Sequence, residues 1–284
     1  MAGTAATPAA DQRVVDVARP PAADQRVVDV AQPPAVPADL AALRKVVQQQ
    51  QDVLQIQNMM SRRSFYHAAG QQAEELEFYA NRPDISFGQN QGFRVGMPAI
   101  AAAYKDRYAK VRALDLERIS KLHPEIKDAP ENIGVGMFQM HTITTPIIEI
   151  ADDGQTAKGM WYTPGAISGV TDKGTLGADW IWEKYAVDFI KEDGKWKFWH
   201  IIVVTDIAVP WGVGAGTAMS DSTQQGAEGV PNNATVVKPL PRTVAKDLYK
   251  PLSSTTVPRL FPPLPVPYRT FGETFSYGPD VPAK

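Results

Sequence analysis

Cysteine is absent from the 284 residues of the chain, which excludes thiol catalysis, disulfide bonds and thiolate metal sites. An excess of one charge is lacking too. The 29 Lys and Arg nearly balance 31 Asp and Glu, for a net charge of −2, and no basic block is present. Nucleic acid and anionic membrane surfaces are therefore not expected as partners. No apolar run approaches the roughly 20 residues of a membrane-spanning helix. The beginning of the chain has neither the basic start nor the apolar stretch of a secretory signal, so a cytoplasmic location is expected. No His-Glu-x-x-His, facial triad or Ser-His-Asp arrangement can be written. Gly212, Gly214 and Gly216 are not followed by a helical pattern, so they do not read as a phosphate loop. Neither a metal nor a cofactor is expected.

What is present divides into three parts. Residues 1–38 contain a tandem repeat, Ala10–Ala18 recurring as Ala23–Ala31, each copy followed by Pro-Pro. Two short copies form no solenoid, and the stretch reads as an extended arm. Residues 39–210 have the size and patterning of one compact domain. Residues 211–284 run from a Gly-rich to a Pro-rich segment that carries Leu260, Phe261, Tyr268, Phe271, Phe275 and Tyr277. That content is too apolar for a plain linker, so an extended tail packing on its own or a neighbouring subunit is expected.

Inside the domain, an apolar stripe through Leu40, Leu43, Val46, Val47, Val53, Leu54, Ile56, Met59 and Met60 predicts a helix from Asp39. A second helix is predicted over about 71–79, ended by Pro83; a short strand over 85–88; a third helix over 99–113; and strand, loop, strand over 119–150. Long strands then follow at Met137–Ile150, Trp180–Ile190 and Trp196–Val204, the first closed by Asp152-Asp153-Gly154 and the second by Glu192-Asp193-Gly194-Lys195. Helices gathered ahead of an antiparallel sheet make an α+β domain, and a curved sheet wrapped by them leaves a concave mouth.

His141 lies in the first of these strands, among aromatic residues, where an imidazole with a pKa near working pH suits proton transfer. Tyr104 and Tyr108 share a helix face. Tyr185 shares a strand face with Val187 and Phe189, whereas Trp182 lies on the other face with Lys184 and Asp188, and the sequence leaves open which set points inward. Phe138, Trp161, Trp180, Trp182 and Phe189 are candidates for a wall that stacks on aryl rings. Arg62, with Arg63 beside it, is a candidate for holding an anionic group. His123 sits in a loop, and His200 reads as core packing.

Several marks occur in a telling order. They are Glu77-Phe78-Tyr79-Ala80 ahead of Ile85-Ser86-Phe87, then Gly96-Met97-Pro98-Ala99-Ile100, then the His141 strand with Asp153-Gly154-Gln155-Thr156-Ala157, and finally Tyr185–Trp196. Over residues 42–205 this order resembles the SnoaL-like branch of the nuclear transport factor 2-like superfamily, which includes scytalone dehydratase, ketosteroid isomerase and polyketide cyclases. The resemblance implies a cone-shaped α+β barrel around a deep pocket, with His141 as acid or base. It also implies a small aromatic substrate, no cofactor and a homo-oligomer, dimer or trimer. The family often places a carboxylate near the break between the first two helices. Tyr66-His67-Ala68-Ala69-Gly70 has none there, so Tyr66, His67, Tyr104 or Tyr185 is expected to assist His141.

The stretch Pro262–Phe271 is similar to the ending of the bacterial diarylpropane γ-formaldehyde lyases of that superfamily. This similarity implies a lyase removing formaldehyde and water from a lignin-derived phenolic 1,2-diarylpropane-1,3-diol to leave a stilbene. The alternatives are a dehydratase, isomerase or cyclase of a polycyclic or steroid-like substrate, or a binding module without catalysis.

Overall fold

A computed structural model describes residues 39–127, 129–132, 135–171, 173, 175–210, 240–252 and 256–282. The tandem repeat and the Gly-rich segment after Pro210 lie outside the described residues. The chain divides into two units, residues 1–44 and 45–284. Of the first, only residues 39–44 are described: Asp39 Oδ1 accepts from the Ala42 N–H at 2.7 Å and so caps a helix.

That helix, α1, spans Leu40–Ala68. Its buried residues are Asp52, Ile56, Met59, Met60, Arg63 and His67, spaced three or four apart save for the adjacent Met59 and Met60. The stripe thus runs from a carboxylate through apolar side chains to a guanidinium and an imidazole. Leu40, Leu43, Val47 and Leu54, expected in the same stripe, are exposed. Gly70, at φ 73°, ends the helix in the left-handed conformation. The expected second helix is a tight 3-10 helix, Gln72–Phe78. The third is longer than its pattern suggested. It runs as α2 (Met97–Ala101), a wide π-helical turn (Ala102–Arg107) and α3 (Tyr108–Ser120).

The remaining elements are β1 (Ser86–Gln89), β2 (Gly92–Val95), β3 (Phe138–His141), β4 (Thr144–Ile150), β5 (Thr156–Val170), β6 (Leu176–Glu192), β7 (Lys195–Pro210) and β8 (Val244–Ala245). They form one eight-stranded sheet in the order β3-β5-β6-β7-β1-β2-β8, with β4 also paired to β5. Only β1 and β7 run parallel among these pairs. Asp193 and Gly194, at φ 50° and 73°, make the two-residue turn between β6 and β7. Bulges at Trp182/Glu183 and Asp188/Phe189 interrupt the β6–β7 register, and bulges of this kind bend a strand. The result is the α+β fold with a curved sheet.

Three sequence expectations change. Residues 137–150 are not one strand: the Thr142 N–H donates to the Pro164 carbonyl at 3.3 Å and Thr145 adopts φ 48°, so β3 and β4 pair with β5 separately. No strand occupies 119–137 among the described residues, because α3 runs on to Ser120. And β5, masked in the sequence by Gly159, Pro164, Gly165 and Gly169, is a full strand of 15 residues.

The two sheet faces carry separate cores. The inner face packs Trp161, Tyr185, Val187, Phe189, Ile201 and Val203 against Ile56, Met59 and Met60 of α1. On the outer face, Met160, Ala186, Ile202 and Val204 pack with Leu248, Phe261, Tyr277 and Val281. There Lys158 Nζ lies 2.6 Å from Asp188 Oδ1. The rings of Tyr268, Phe271, Phe275 and Tyr277 surround that ammonium, with centroids 4.2 to 5.6 Å away.

Candidate active site

Strand register builds the site. His141 on β3 pairs with Gly165 on β5, which pairs with Ile181 on β6. Two residues further along β6, on the same face, stands Glu183. Gly165 is required where β3 approaches, because a Cβ there would fall 2.0 Å from the Met140 carbonyl oxygen. His141 Nδ1 lies 3.1 Å from Glu183 Oε2 and 3.4 Å from the Tyr185 hydroxyl. The Ser64 hydroxyl donates to the His141 carbonyl. Glu183 Oε1 accepts from the Thr205 hydroxyl at 2.9 Å, and the Thr205 N–H donates to Asn90 at 2.9 Å. Burial opposes the Glu183 charge, but the hydrogen bond and charge of His141 and the Thr205 hydroxyl hold its carboxyl below the usual value. A carboxylate on Nδ1 selects the tautomer with its proton there and frees Nε2 to accept.

A second imidazole stands beside the first. The His67 ring, at the end of the α1 stripe, lies 4.8 Å from that of His141, edge to face. His67 Nδ1 is 2.5 Å from Glu75 Oε1 of the 3-10 helix. Burial pushes the His67 pKa down and outweighs the pull of the Glu75 carboxylate. Arg63, one turn before it, reaches Glu75 Oε2 at 3.1 Å and donates to the Tyr104 hydroxyl at 3.0 Å. Its guanidinium lies 4.9 Å from the Tyr185 ring centroid. Burial raises the pKa of Tyr104 and Tyr185, so both remain hydrogen-bond donors.

These groups face one cavity. Its walls hold about 530 Å³ counted out to the mouth, yet leave the centre of a water-sized sphere only about 40 Å³. A water needs roughly 10–15 Å³ on that measure, so there is room for about three. The lining includes Phe87, Ala103 and Val203 as well as Gln89, Arg94, Arg107, Tyr108 and Gln139.

Of the residues singled out in the sequence, His141, His67, Tyr104 and Tyr185 come together here. Tyr66 stacks instead on Phe78, with centroids 6.0 Å apart. Trp161 and Phe189 belong to the inner core, edge to face with each other at 6.1 Å. Phe138, Trp180 and Trp182 are 46, 40 and 40 % exposed and sit off the cavity, since they alternate with the inward residues of their strands. Arg62 points to solvent; its neighbour Arg63, on the buried stripe, faces the cavity. The carboxylates absent from 66–70 come from elsewhere: Glu75 for His67 and Glu183 for His141. Glu183 was detectable, as it alternates with Tyr185 on one face of a strand already identified.

Residues 48–202 match the SnoaL-like domain family, to which the chain belongs. No curated protein matches the chain. Among solved structures, a candidate scytalone dehydratase from Novosphingobium aromaticivorans is 16 % identical over 60 % of this chain and 94 % of its own, with TM-score 0.41. The LinA-type3 hexachlorocyclohexane dehydrochlorinase of Novosphingobium barchaimii is 13 % identical over 59 % of this chain and 95 % of its own, with TM-score 0.42. No helix among the described residues is long and apolar enough to cross a membrane.

Proposed function

We propose that the protein is a cofactor-independent lyase that carries out acid–base elimination on a phenolic aromatic substrate, with His141 as the base. The observation that carries this reading is the His141–Glu183 pair at 3.1 Å, buried at the wall of a cavity with the Tyr185 hydroxyl and a second imidazole in reach. For a 1,2-diarylpropane-1,3-diol, His141 takes the proton of the terminal hydroxyl. The neighbouring carbon–carbon bond breaks and formaldehyde leaves. The freed electron pair becomes the stilbene double bond and expels the benzylic hydroxyl, which departs as water with a proton from Tyr185 or Tyr104. One proton is taken and one given, and return of the proton from His141 to the donor restores the site without an oxidant or reductant.

The test is turnover of such a diol, followed by stilbene fluorescence and formaldehyde release, with and without chelator. His141→Gln is expected to lower kcat by at least about 100-fold. Near wild-type turnover by that variant would reject the assignment. One observation favours a second reading, dehydration of a smaller single-ring alcohol: the cavity has room for only a few waters, so a two-ring substrate must part its wall. A product lighter by water alone would select dehydration; an unchanged mass would select isomerisation.

A further inference from the structure

The Glu183 carboxylate stands opposite an irregularity in the sheet. Thr205 of β7 pairs with Glu183 and Ile207 pairs with Trp182, so Asp206 between them is an extra residue with no counterpart on β6. Such a bulge interrupts the ladder and re-aims side chains. It falls where the site needs precision, because the Thr205 hydroxyl is the donor to Glu183 Oε1 at 2.9 Å. The backbone of β1 gives no support at this point, since its parallel pairing with β7 stops at Gln89 and Val203. The next residue supplies it with a side chain. The Asn90 carboxamide accepts from the Thr205 N–H at 2.9 Å and donates to the Thr205 carbonyl at 3.1 Å, as the peptide of a neighbouring strand would. Asn90, Thr205 and Glu183 are all buried.

Residues 246–252 hold both sides of this clasp. The Leu248 N–H donates to the Asn90 carbonyl at 2.8 Å, and the Lys246 N–H to the Gln91 carbonyl at 3.2 Å. The Leu252 N–H donates to the Asp206 carbonyl at 2.8 Å, and the Tyr249 hydroxyl to the Asp206 carboxylate at 2.6 Å. Leu248 anchors the segment in the outer core. Neither Asn90, Thr205, Asp206 nor any residue of 246–252 lines the cavity, so none of them meets a substrate there. We propose that residues 246–252 position the acid–base pair from behind, with Asn90 and Thr205 as the positioning residues that carry their hold to Glu183 and so to His141. The assignment rests on the reading of His141 as the base, and it brings into the site a part of the chain beyond residue 202, where the family domain ends. The physical reason is rotation. A carboxylate turns about its last single bond unless both oxygens are engaged, and here Oε1 takes the Thr205 hydroxyl while Oε2 faces His141 Nδ1. With Oε1 released, Oε2 leaves Nδ1, and the imidazole loses the acceptor that fixes its tautomer.

The experiment reads the tautomer of His141 and not turnover, so it stands apart from the elimination reading. The full chain is prepared with isotope-labelled histidine, and its imidazole nitrogens are recorded by NMR well above the ordinary histidine pKa of about 6.5. A His141→Gln sample identifies the signals of that ring. Wild type is expected to carry the proton on Nδ1 alone. Thr205→Val keeps the shape of the side chain and removes its hydroxyl, and both tautomers are expected there. Thr205→Ser, which retains the hydroxyl, restores the single form. Asn90→Ala and Tyr249→Phe are expected to mix the tautomers to a smaller degree. An unmixed tautomer in Thr205→Val would overturn the proposal, as would one in Asn90→Ala and Tyr249→Phe together. Should Thr205→Val fail to fold, Tyr249→Phe decides alone, since that half-buried side chain keeps its ring and loses only a hydroxyl. On a substrate that wild type turns over, Thr205→Val is expected to lower kcat at least about tenfold with KM near wild type; an unchanged kcat would also overturn the proposal. Tautomers that follow these variants in a protein that turns over no phenolic alcohol would sink the elimination reading and leave the positioning role standing.

Discussion

Strand β6 carries a histidine–carboxylate pair on each face, and the two differ in everything except distance. On the inner face Glu183 lies 3.1 Å from His141; on the outer face Asp188 lies 2.9 Å from His200. His141 lines a cavity beside a second imidazole and a tyrosine hydroxyl. His200 shares its carboxylate with the Lys158 ammonium, the Ser276 hydroxyl and the Tyr277 N–H, and it does not line the cavity that His141 faces. The inner pair has unspent capacity in front of it, whereas the outer pair is consumed in joining residues 276–277 to the sheet. An imidazole on a carboxylate is thus no sign of catalysis by itself; what else reaches the carboxylate, and what the ring faces, decides the role.

That contrast can be broken by experiment. The largest effect expected is the loss of at least about 100-fold in kcat for His141→Gln, set against a His200→Gln variant whose turnover stays near wild type; equal losses would erase the distinction. Next is stability. Asp188→Ala leaves the buried Lys158 ammonium without its carboxylate, which costs about 3 kcal/mol or more, to be read from urea unfolding with a far smaller change in KM. A third variant, Glu183→Gln, keeps the shape and removes the charge that orients His141, and kcat is expected to fall by up to about 100-fold while the unfolding midpoint moves less than in Asp188→Ala.

The smallest effect is a pH dependence. His67 has a folded pKa below its unfolded value, so the folded state takes up its proton less readily. Stability is therefore full above the ordinary histidine value of about 6.5 and declines as pH falls below it. Urea titrations above and below that value should show a smaller acid-side loss in His67→Gln than in wild type.

The same contrast explains what the sequence revealed. Period-two alternation separated Tyr185, Val187 and Phe189 from Trp182, Lys184 and Asp188, and the Asp193-Gly194 turn marked the β6–β7 hairpin. Which face turned inward depends on the helices and the C-terminal segment that cover the sheet, and this is not written in the alternation. Trp180 and Trp182 looked like cavity wall by composition, yet the aromatic groups of the cavity are Phe87 and three tyrosines. His141 stood out because histidine is scarce, with 4 in the chain. Its partner Glu183 is 42 residues away and reaches it across β5, a strand whose glycines and proline hid it from the pattern. Arg94 and Arg107 were silent because charged residues on short strands and helices ordinarily face solvent. The π-helical turn that places Tyr104 and Arg107 in the wall also follows no simple repeat.

The central claim is that His141 and Glu183 work as one unit, and a double-mutant cycle on kcat measures this most directly. Groups that act together lose their effect together, so His141→Gln/Glu183→Gln should be no slower than His141→Gln alone. Losses that multiply in the double variant would show two independent contributions and contradict the account.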